Sequence, residues 1–265
     1  MNFVTLSSMD IALAATLLSL NAGLSIYYNL GTARRLLIAA LRMVVQLTLV
    51  GLVLKALFAA VSPWLTLLAA LAMVGFAGRE AMARQDRSFV GFWGYGLGTL
   101  SMLMAAGVVT LFALGTQFHA EPWYDPRYAI PVLGMILGNT MTGVSLAIDR
   151  LLSEADTGRA RIEARLALGH PFRQAMQEPL KSAMRAGLIP TVNGMAAAGL
   201  VSLPGMMTGQ ILAGVDPVQA VKYQLLIMFL IAGGTALGVF CSAMIALRRL
   251  TDPRQRLRLD RLQLP

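Results

Sequence analysis

The sequence predicts an all-α integral membrane protein with about seven transmembrane helices, and three observations carry this prediction. The 265 residues are 57% hydrophobic and only 13% charged, which is too apolar for a soluble domain of this size. The apolar residues fall in blocks close to the roughly 20 residues that a helix needs to cross a bilayer. The basic residues are concentrated in alternate connections between these blocks, as in multi-pass membrane proteins.

Charged or Pro/Gly-rich breaks separate seven apolar blocks, each a candidate crossing. The third block is short and Pro204 interrupts the sixth, so six or seven crossings are expected. The blocks cover residues 11–30, 36–59, 63–78, 92–114, 130–148, 188–212 and 223–247.

The distribution of basic residues predicts the orientation of the chain. Met1 to Asp10 contain no Lys or Arg, so the first block lacks the basic flank of a cleaved signal peptide and should remain as a helix. Alternate connections, starting after the first helix, hold 18 of the 22 basic residues. The positive-inside rule then predicts an outer N-terminus, a cytoplasmic C-terminus and seven crossings. These residues include Arg34, Arg35, Arg79, Arg84, Arg87, those of segment 150–185 and those of a basic tail at 248–265.

The same pattern explains the net charge of +9 without nucleic acid, because cationic residues at cytoplasmic helix ends contact membrane lipids. No lysine follows a glycine, so the chain has no phosphate-binding loop. His119 and His170 are predicted on opposite sides of the membrane, and Cys241 is the single cysteine. We therefore expect a transporter subunit that is not itself an enzyme and binds no cofactor.

Segment 150–185 is the longest polar connection. Ile162, Leu166 and Leu168 fall near one face of a predicted helix that ends about Gly169, and Pro171 can begin the next helix. The pattern predicts a cytoplasmic coupling helix, a sharp turn and a second helix between transmembrane helices 5 and 6. Such an element suits a groove on a soluble partner, although a purely structural loop would read the same way.

Polar and thioether side chains inside the blocks mark either helix contacts or a transport path. Arg42 could instead extend to the inner surface, and Gln46 and Asn193 could form interhelical hydrogen bonds. Pro204 breaks a helical run, which favours a water-lined or protein-lined cavity at that depth. Methionine can bind soft metals, although adaptable packing is its commoner use. The candidate path comprises Arg42, Gln46, Asn139, Thr140, Met141, Asn193, Ser202, Pro204, Met206 and Met207.

Two groups of residues resemble a known family. Glu163-Ala-Arg-Leu-Ala-Leu-Gly169 resembles the E-A-A-x-x-x-G signature of ABC importer permeases, with Arg165 in place of the second alanine. The more specific group resembles the FetB (YbbM) permease family across nearly the whole chain. It comprises residues 186–194, 199–217 and 134–141, and the stretch Arg42-Met-Val-Val-Gln46.

The resemblance implies a single permease domain over residues 1–265 in a bacterial cytoplasmic (inner) membrane, acting as an iron-exporting ABC subunit. Plant relatives of that family are linked to aluminium tolerance. The chain would form a homodimer and bind a cytoplasmic FetA-like ATPase, which would hold ATP and Mg. The implied coupling residues are Glu163, Ala164, Leu166, Leu168, Gly169 and Phe172.

The resemblance names no metal ligands. Iron prefers oxygen ligands, whereas the blocks offer amides and hydroxyls but no carboxylate, so direct coordination of a bare ion is doubtful. An ATP-independent channel or carrier, and an ABC permease for an organic solute, remain the alternatives.

Overall fold

A computed structural model describes residues 7–83, 85, 87–118 and 121–263. Arg84 and His119 lie outside the described residues. The described chain is almost entirely helical, which confirms the all-α prediction. Its helices are α1 (Ser8–Tyr27), α2 (Ala33–Ala60), α3 (Pro63–Ala83), α4 (Phe92–Met102), α5 (Val108–Ala113), α6 (Pro126–Thr157), α7 (Arg159–Ala167), α8 (Phe172–Ala175), α9 (Gln177–Ala197), α10 (Gly205–Leu212) and α11 (Pro217–Arg249).

Short irregular elements complete the fold. Two π-helical segments, Leu103–Gly107 and Leu114–Phe118, lie on either side of α5 and make residues 92–118 one continuous rod. Two-residue strands, β1 (Ser88–Phe89) and β2 (Leu262–Gln263), pair antiparallel, and a 3-10 turn at Leu259–Arg261 precedes β2.

Six helices in the described part of the chain are long and apolar enough to cross a bilayer, which confirms a multi-pass membrane protein. They are Met9–Tyr27, Ala33–Ala60, Pro63–Ala83, Phe92–Phe118, Pro126–Thr157 and Pro217–Arg249. The sequence had a seventh block at residues 188–212, but the structure divides this region between α9, an irregular stretch and α10. The count of seven crossings and the orientation stay predictions.

The chain divides into two compact units. The first contains Met1–Ala60 with Leu212–Gly214, and the second contains Val61–Ile211 with Val215–Pro265. In the first unit, Ser7 and Asp10 cap the start of α1 reciprocally. A hydrogen bond of 2.7 Å between the hydroxyls of Ser25 and Thr32 supports the turn before α2.

In the second unit α6, α9 and α11 pack against one another, and glycines make the close approach possible. A Cβ on Gly234 would lie 2.6 Å from Ile136 Cγ2, and one on Gly238 would collide with Thr140 Cγ2. Successive turns of α11 therefore follow successive turns of α6, so these helices run parallel. Gly143 of α6, which also faces Thr235 of α11, meets Gly187 of α9 backbone to backbone.

Helix α9 begins where α6 ends and runs back along it. Near the end of α6, Ser182 of α9 donates to Glu154 Oε1 over 2.7 Å, and Arg150 Nε donates to the Ser182 hydroxyl over 3.0 Å. Farther along, Gly187 lies against Gly143. The two helices are thus antiparallel over more than one turn. We call the side where α6 ends at Thr157, α9 begins at Gln177 and α11 ends at Arg249 the inner end.

Helices α3 and α4 cross at another glycine contact. A Cβ on Gly98 would lie 2.5 Å from the carbonyl oxygen of Gly78, a distance that side chains do not tolerate. The sequence predicts close helix packing from the four-residue spacing of Gly94 and Gly98, and in the structure Gly98 makes such a contact. Gly205 and Gly209, with the same spacing, have nothing within 4 Å.

Candidate functional site

The inner end carries the helix–turn–helix that the sequence predicts between residues 159 and 175. Helix α7 points Ile162 into the core, where its side chain is 0% exposed. Glu163 and Ala164 are exposed, and Leu166 is partly buried. Leu168, just after the helix, is 79% exposed. Ile162 therefore anchors the helix in the core, while Leu168 remains at the surface.

The turn after α7 depends on a glycine. The N–H of Gly169 donates to Leu166 O over 3.0 Å, and the N–H of His170 donates to Arg165 O over 3.1 Å. This pair of bonds is the Schellman motif, which needs a left-handed residue at its centre. Gly169 supplies that residue with φ of +86°. The last glycine of the E-A-A-x-x-x-G-like stretch is therefore required by the backbone.

Helix α8 is short and is held by buried side chains. Phe172 is 4% exposed, and Met176 just after the helix is fully buried. The Arg165 guanidinium donates to Ala175 O over 3.4 Å, and His170 Nδ1 lies 3.1 Å from Gln174 Oε1. Phe172 therefore positions the element from within rather than contributing exposed surface. The coupling role of residues 163–172 stays a prediction.

Ion pairs attach this region to its neighbours. Arg159 pairs with Glu163 within α7 at 2.8 Å. Arg87, before β1, pairs with Asp156 near the end of α6 at 3.0 Å. The exposed Arg159–Glu163 pair contributes about 0–1 kcal/mol, whereas the part-buried Arg87–Asp156 pair joins the segment before β1 to α6.

The C-terminal tail, residues 251–263, folds against the same region. The main-chain N–H of Phe172 donates to Gln255 Oε1 over 2.8 Å, across 83 residues of sequence. Arg261 Nη1 donates to the carbonyls of Arg249 and Thr251 at 2.7 and 3.1 Å, satisfying acceptors that the end of α11 leaves open. The sequence predicts only a basic tail at 248–265, so this ordered contact is a finding of the structure.

Asp252 organises the turn of the tail. Its carboxylate accepts from the main-chain N–H groups of Arg254 and Arg256, both at 3.0 Å, and from Arg256 Nε at 2.8 Å. The bond from the Arg256 N–H is the main reason why the pKa of Asp252 falls to about 2. Arg258 likewise lowers the pKa of Asp260 to about 2, mainly through side-chain hydrogen bonds.

The candidate path residues of α6 occupy different environments. Asn139 and Thr142 are exposed, and each bonds back to its own helix, with Asn139 Nδ2 donating to Met135 O over 2.9 Å. Thr140 is instead fully buried beneath Gly234 and Gly238. Met141 is partly buried and packs on the core. Within α6, Asn139 is therefore on the exposed face, whereas Thr140 lies in a helix interface.

The other path candidates follow along α9 and α10. Asn193 is exposed near the end of α9. Residues 198–204 form a tight turn in which Ser202 O accepts from Gly199 N over 2.9 Å, and Gly199 has φ of +85°. Pro204, Met206 and Met207 are partly buried at the start of α10, and Ser202 is exposed. The predicted break at Pro204 is present, and it begins earlier, at Ala198.

Arg42 and Gln46 lie on α2 in the first unit, where both are exposed. They are one helical turn apart, as the sequence implies, whereas the α6 and α9 candidates belong to the second unit. Whether any of these side chains contacts a transported substrate stays a prediction.

Sequence reasoning missed Asp149. The apolar block ends at Ile148, but α6 continues to Thr157 and includes Asp149, which is partly buried. A carboxylate directly after an apolar block, within the same helix, is the signal that could have found it. No cluster of three or more His, Cys, Asp or Glu side chains suited to a metal ion occurs in the part of the chain that the structure describes.

Six apolar spans and an anchored helix–turn–helix at the inner end define a multi-pass, all-α membrane protein. The chain belongs to the group described as "Uncharacterised protein family (UPF0014)", which it matches over residues 8–251. A UPF0014 membrane protein of Synechocystis is 41% identical over 231 residues, covering 86% of this chain and 87% of the relative.

Two further relatives have more descriptive names. The probable iron export permease protein FetB of Escherichia coli is 32% identical over 266 aligned residues, 99% of either chain. The protein ALUMINUM SENSITIVE 3 of Arabidopsis thaliana is 32% identical over 219 residues, 83% of this chain and 78% of the relative. These similarities bear out the resemblance seen in the sequence. No solved structure matches this chain.

Proposed function

We propose that this chain is the membrane-spanning permease subunit of an ABC exporter for a metal, iron or an iron complex, powered by a separate cytoplasmic ATPase. The observation that carries the proposal is the helix–turn–helix at the inner end. Buried Ile162 and Phe172 hold it rigidly, while Leu168 is 79% exposed beside Glu163 and Ala164. A rigid amphipathic element with an exposed apolar side chain suits a groove on a partner.

The two helices that flank α7 and α8 in the chain, α6 and α9, are bonded to each other, and this supports the transfer of movement from a docked partner. Glu154, Ser182 and Arg150 join the end of α6 to α9 through bonds of 2.7 and 3.0 Å. Movement of a docked ATPase would therefore reach two membrane helices through short polar contacts. A mobile loop would not transmit such a displacement.

The names of two relatives favour a metal as cargo, since one refers to iron export and the other to aluminium sensitivity. Oxygen ligands suit both ions. On α6, the exposed residues Asn139 and Thr142 offer an amide and a hydroxyl, and the partly buried Asp149 offers a carboxylate farther along the helix. We infer that a hydrated or chelated metal passes along the exposed face of α6, lined also by Asn193, since a lone carboxylate is too few ligands for a bare ion.

The test is reconstitution of the chain with ABC ATPase subunits from the same organism. We expect the two to co-purify and iron to stimulate ATP hydrolysis, with no stimulation by sugars or lipids. Leu168→Ala should weaken co-purification because it removes the exposed apolar contact. Leu200→Ala is the matched control, since Leu200 is 91% exposed at the other end of α9 and should leave ATPase binding unchanged.

Two results would overturn parts of the proposal. Metal transport without any ATPase would favour a channel or carrier. Stimulation by an organic solute but not by metals would keep the ABC assignment and replace the cargo.

A further inference from the structure

A cleft of about 540 Å³ lies between the C-terminal tail and the turn after α7. Gly169, His170 and Pro171 line one wall, and residues 253–256 line the other. Both walls are at the inner end, since α11 ends at Arg249 and the tail follows directly.

The tail wall is a fixed structure. Asp252 has a side chain only 5% exposed and holds the turn through the N–H groups of Arg254 and Arg256. Gln255 adopts a φ of +55°, which non-glycine residues rarely adopt. Its N–H donates to Asp252 O over 2.8 Å. The surrounding bonds therefore define the conformation of this turn.

The two walls are joined by one hydrogen bond. Helix α8 begins at Phe172 after Pro171, which provides no side-chain cap. Gln255 Oε1 accepts from the Phe172 N–H over 2.8 Å and so satisfies one of the donors left open at a helix start. The cap comes from the tail, and it sets the distance between the two walls of the cleft.

The exposed rim of the cleft is basic. Arg254 and Arg256 lie on the tail wall, and Arg173 stands nearby on α8. The carboxylate at this turn, Asp252, is buried and engaged by Arg256 at 2.7 Å. Among the described residues no carboxylate forms an ion pair with Arg254 or Arg173. The rim thus presents cationic groups to whatever docks beside Leu166 and Leu168.

The distance from the apolar block favours a protein over a lipid headgroup. Helix α6 continues nine residues beyond Ile148, the end of its apolar block, to Thr157, a rise of about 13 Å at 1.5 Å per residue. The turn that lines the cleft follows this extension. A soluble partner reaches such a position more readily than a membrane surface does.

We propose that the C-terminal tail completes the docking surface and that the cleft receives an acidic segment of the ATPase subunit. This inference rests on the proposed function, because it assumes that an ATPase docks on α7 and α8. The tail would supply charge through Arg254, and the coupling helix would supply apolar contact through Leu168. Association would then weaken as ionic strength rises.

The experiment measures the dissociation constant between the full-length chain in nanodiscs and the ABC ATPase subunit that co-purifies with it. Arg254→Glu should weaken binding by about tenfold and reduce its dependence on salt, because reversing a rim charge places like charges together. Arg127→Glu is the matched control, an equal charge change at an exposed arginine at the start of α6, the opposite end of that helix from Thr157, and it should leave binding unchanged. Gln255→Ala should also weaken binding, since it removes the bond that joins the walls.

The outcomes separate this inference from the proposed function. If Leu168→Ala weakens ATPase binding while Arg254→Glu does not, the composite surface is wrong and the proposed function stands. If the wild-type chain binds no ATPase, both fail. If Arg254→Glu reduces binding to phosphatidylglycerol vesicles and leaves ATPase binding intact, the cleft serves lipid and the inference is overturned.

Discussion

Gly143 of α6 and Gly187 of α9 touch through their backbones. A Cβ on Gly143 would lie 2.8 Å from the carbonyl oxygen of Gly187, and one on Gly187 would lie 2.6 Å from that of Gly143. This contact joins a helix that continues into α7 to the helix that follows α8. It therefore sets the geometry of both helices that flank the helix–turn–helix.

Gly187→Ala should destabilise the protein. Its new methyl would meet Val239 Cγ2 at 2.9 Å, and also Gly143 O and Ala147 Cβ at 2.9 Å, neither of which can move without shifting α6. We expect a loss of about 1–3 kcal/mol, typical of an overpacked core. Thermal unfolding in detergent measures it.

Gly194→Ala is the control on the same helix, because nothing lies within 4 Å of its added Cβ. Removing a helical glycine should leave stability unchanged or raise it by about 0.5–1 kcal/mol. Equal unfolding temperatures for the two variants would contradict the backbone contact.

The sequence predicted what depends on local pattern. Apolar blocks found the long helices, and Gly169 with Pro171 located the turn between α7 and α8. The apolar block ends at Ile148, well before α6 ends at Thr157. The helix continues because charged residues such as Asp149 and Arg150 lower the hydropathy but still favour a helix. The length of a helix and the part of it that crosses the membrane are different properties, and only the second follows from the apolar residues.

Contacts between distant segments could not be predicted in this way. No periodicity connects Phe172 to Gln255, since a hydrogen bond across 83 residues depends on where α11 delivers the tail. Thr140 was included in the candidate path because it is polar. Its burial follows from contact with Gly234 and Gly238 of α11. The residue pattern of α6 alone does not indicate that these glycines pack on Thr140.

The turn after α7 should depend on the conformation of Gly169 and not on the space around it. Its φ is +86°, yet nothing lies within 4 Å of an added Cβ. Gly169→Val should therefore cost about 1–2 kcal/mol through backbone strain, expose the His170 amide to hydrogen exchange and reduce ATPase co-purification. Gly169→Asn should retain more of the stability, the His170 amide protection and the ATPase co-purification, because Asn tolerates the left-handed region. Identical behaviour of the two variants would exclude the Schellman turn as the reason for this glycine.

The tail should loosen at acidic pH. Asp252 is ionised in the folded tail with a pKa of about 2, against an ordinary value of 3.8. Its stabilising contribution is therefore complete above pH about 4 and is lost as the pH falls through about 2. The protection factors of the Arg254 and Arg256 amides, which correct for the intrinsic pH dependence of exchange, should fall over that range and stay constant between pH 5 and pH 8.

Asp252→Asn tests the charge itself. Protection of the tail amides in this variant should be lower than in the wild type at pH 7, and the two should converge as the pH falls below 2, where the wild-type carboxyl becomes protonated. A difference that persisted well below pH 2 would mean that the size or geometry of the amide, and not the lost charge, weakens the turn.

Substitutions at two neighbouring residues of α6 should distinguish a role in transport from a role in packing. Asn139 is exposed, whereas the Thr140 hydroxyl is fully buried and has no hydrogen-bond partner in the described chain. Asn139→Leu should lower iron-stimulated ATP hydrolysis by about tenfold, the effect of losing one polar contact to the cargo. Thr140→Val keeps the shape of the side chain and should leave stimulation unchanged and stability equal or higher, because it removes an unsatisfied buried group. Normal stimulation in Asn139→Leu would move the path away from this face of α6, and a transport defect in Thr140→Val would place it between α6 and α11.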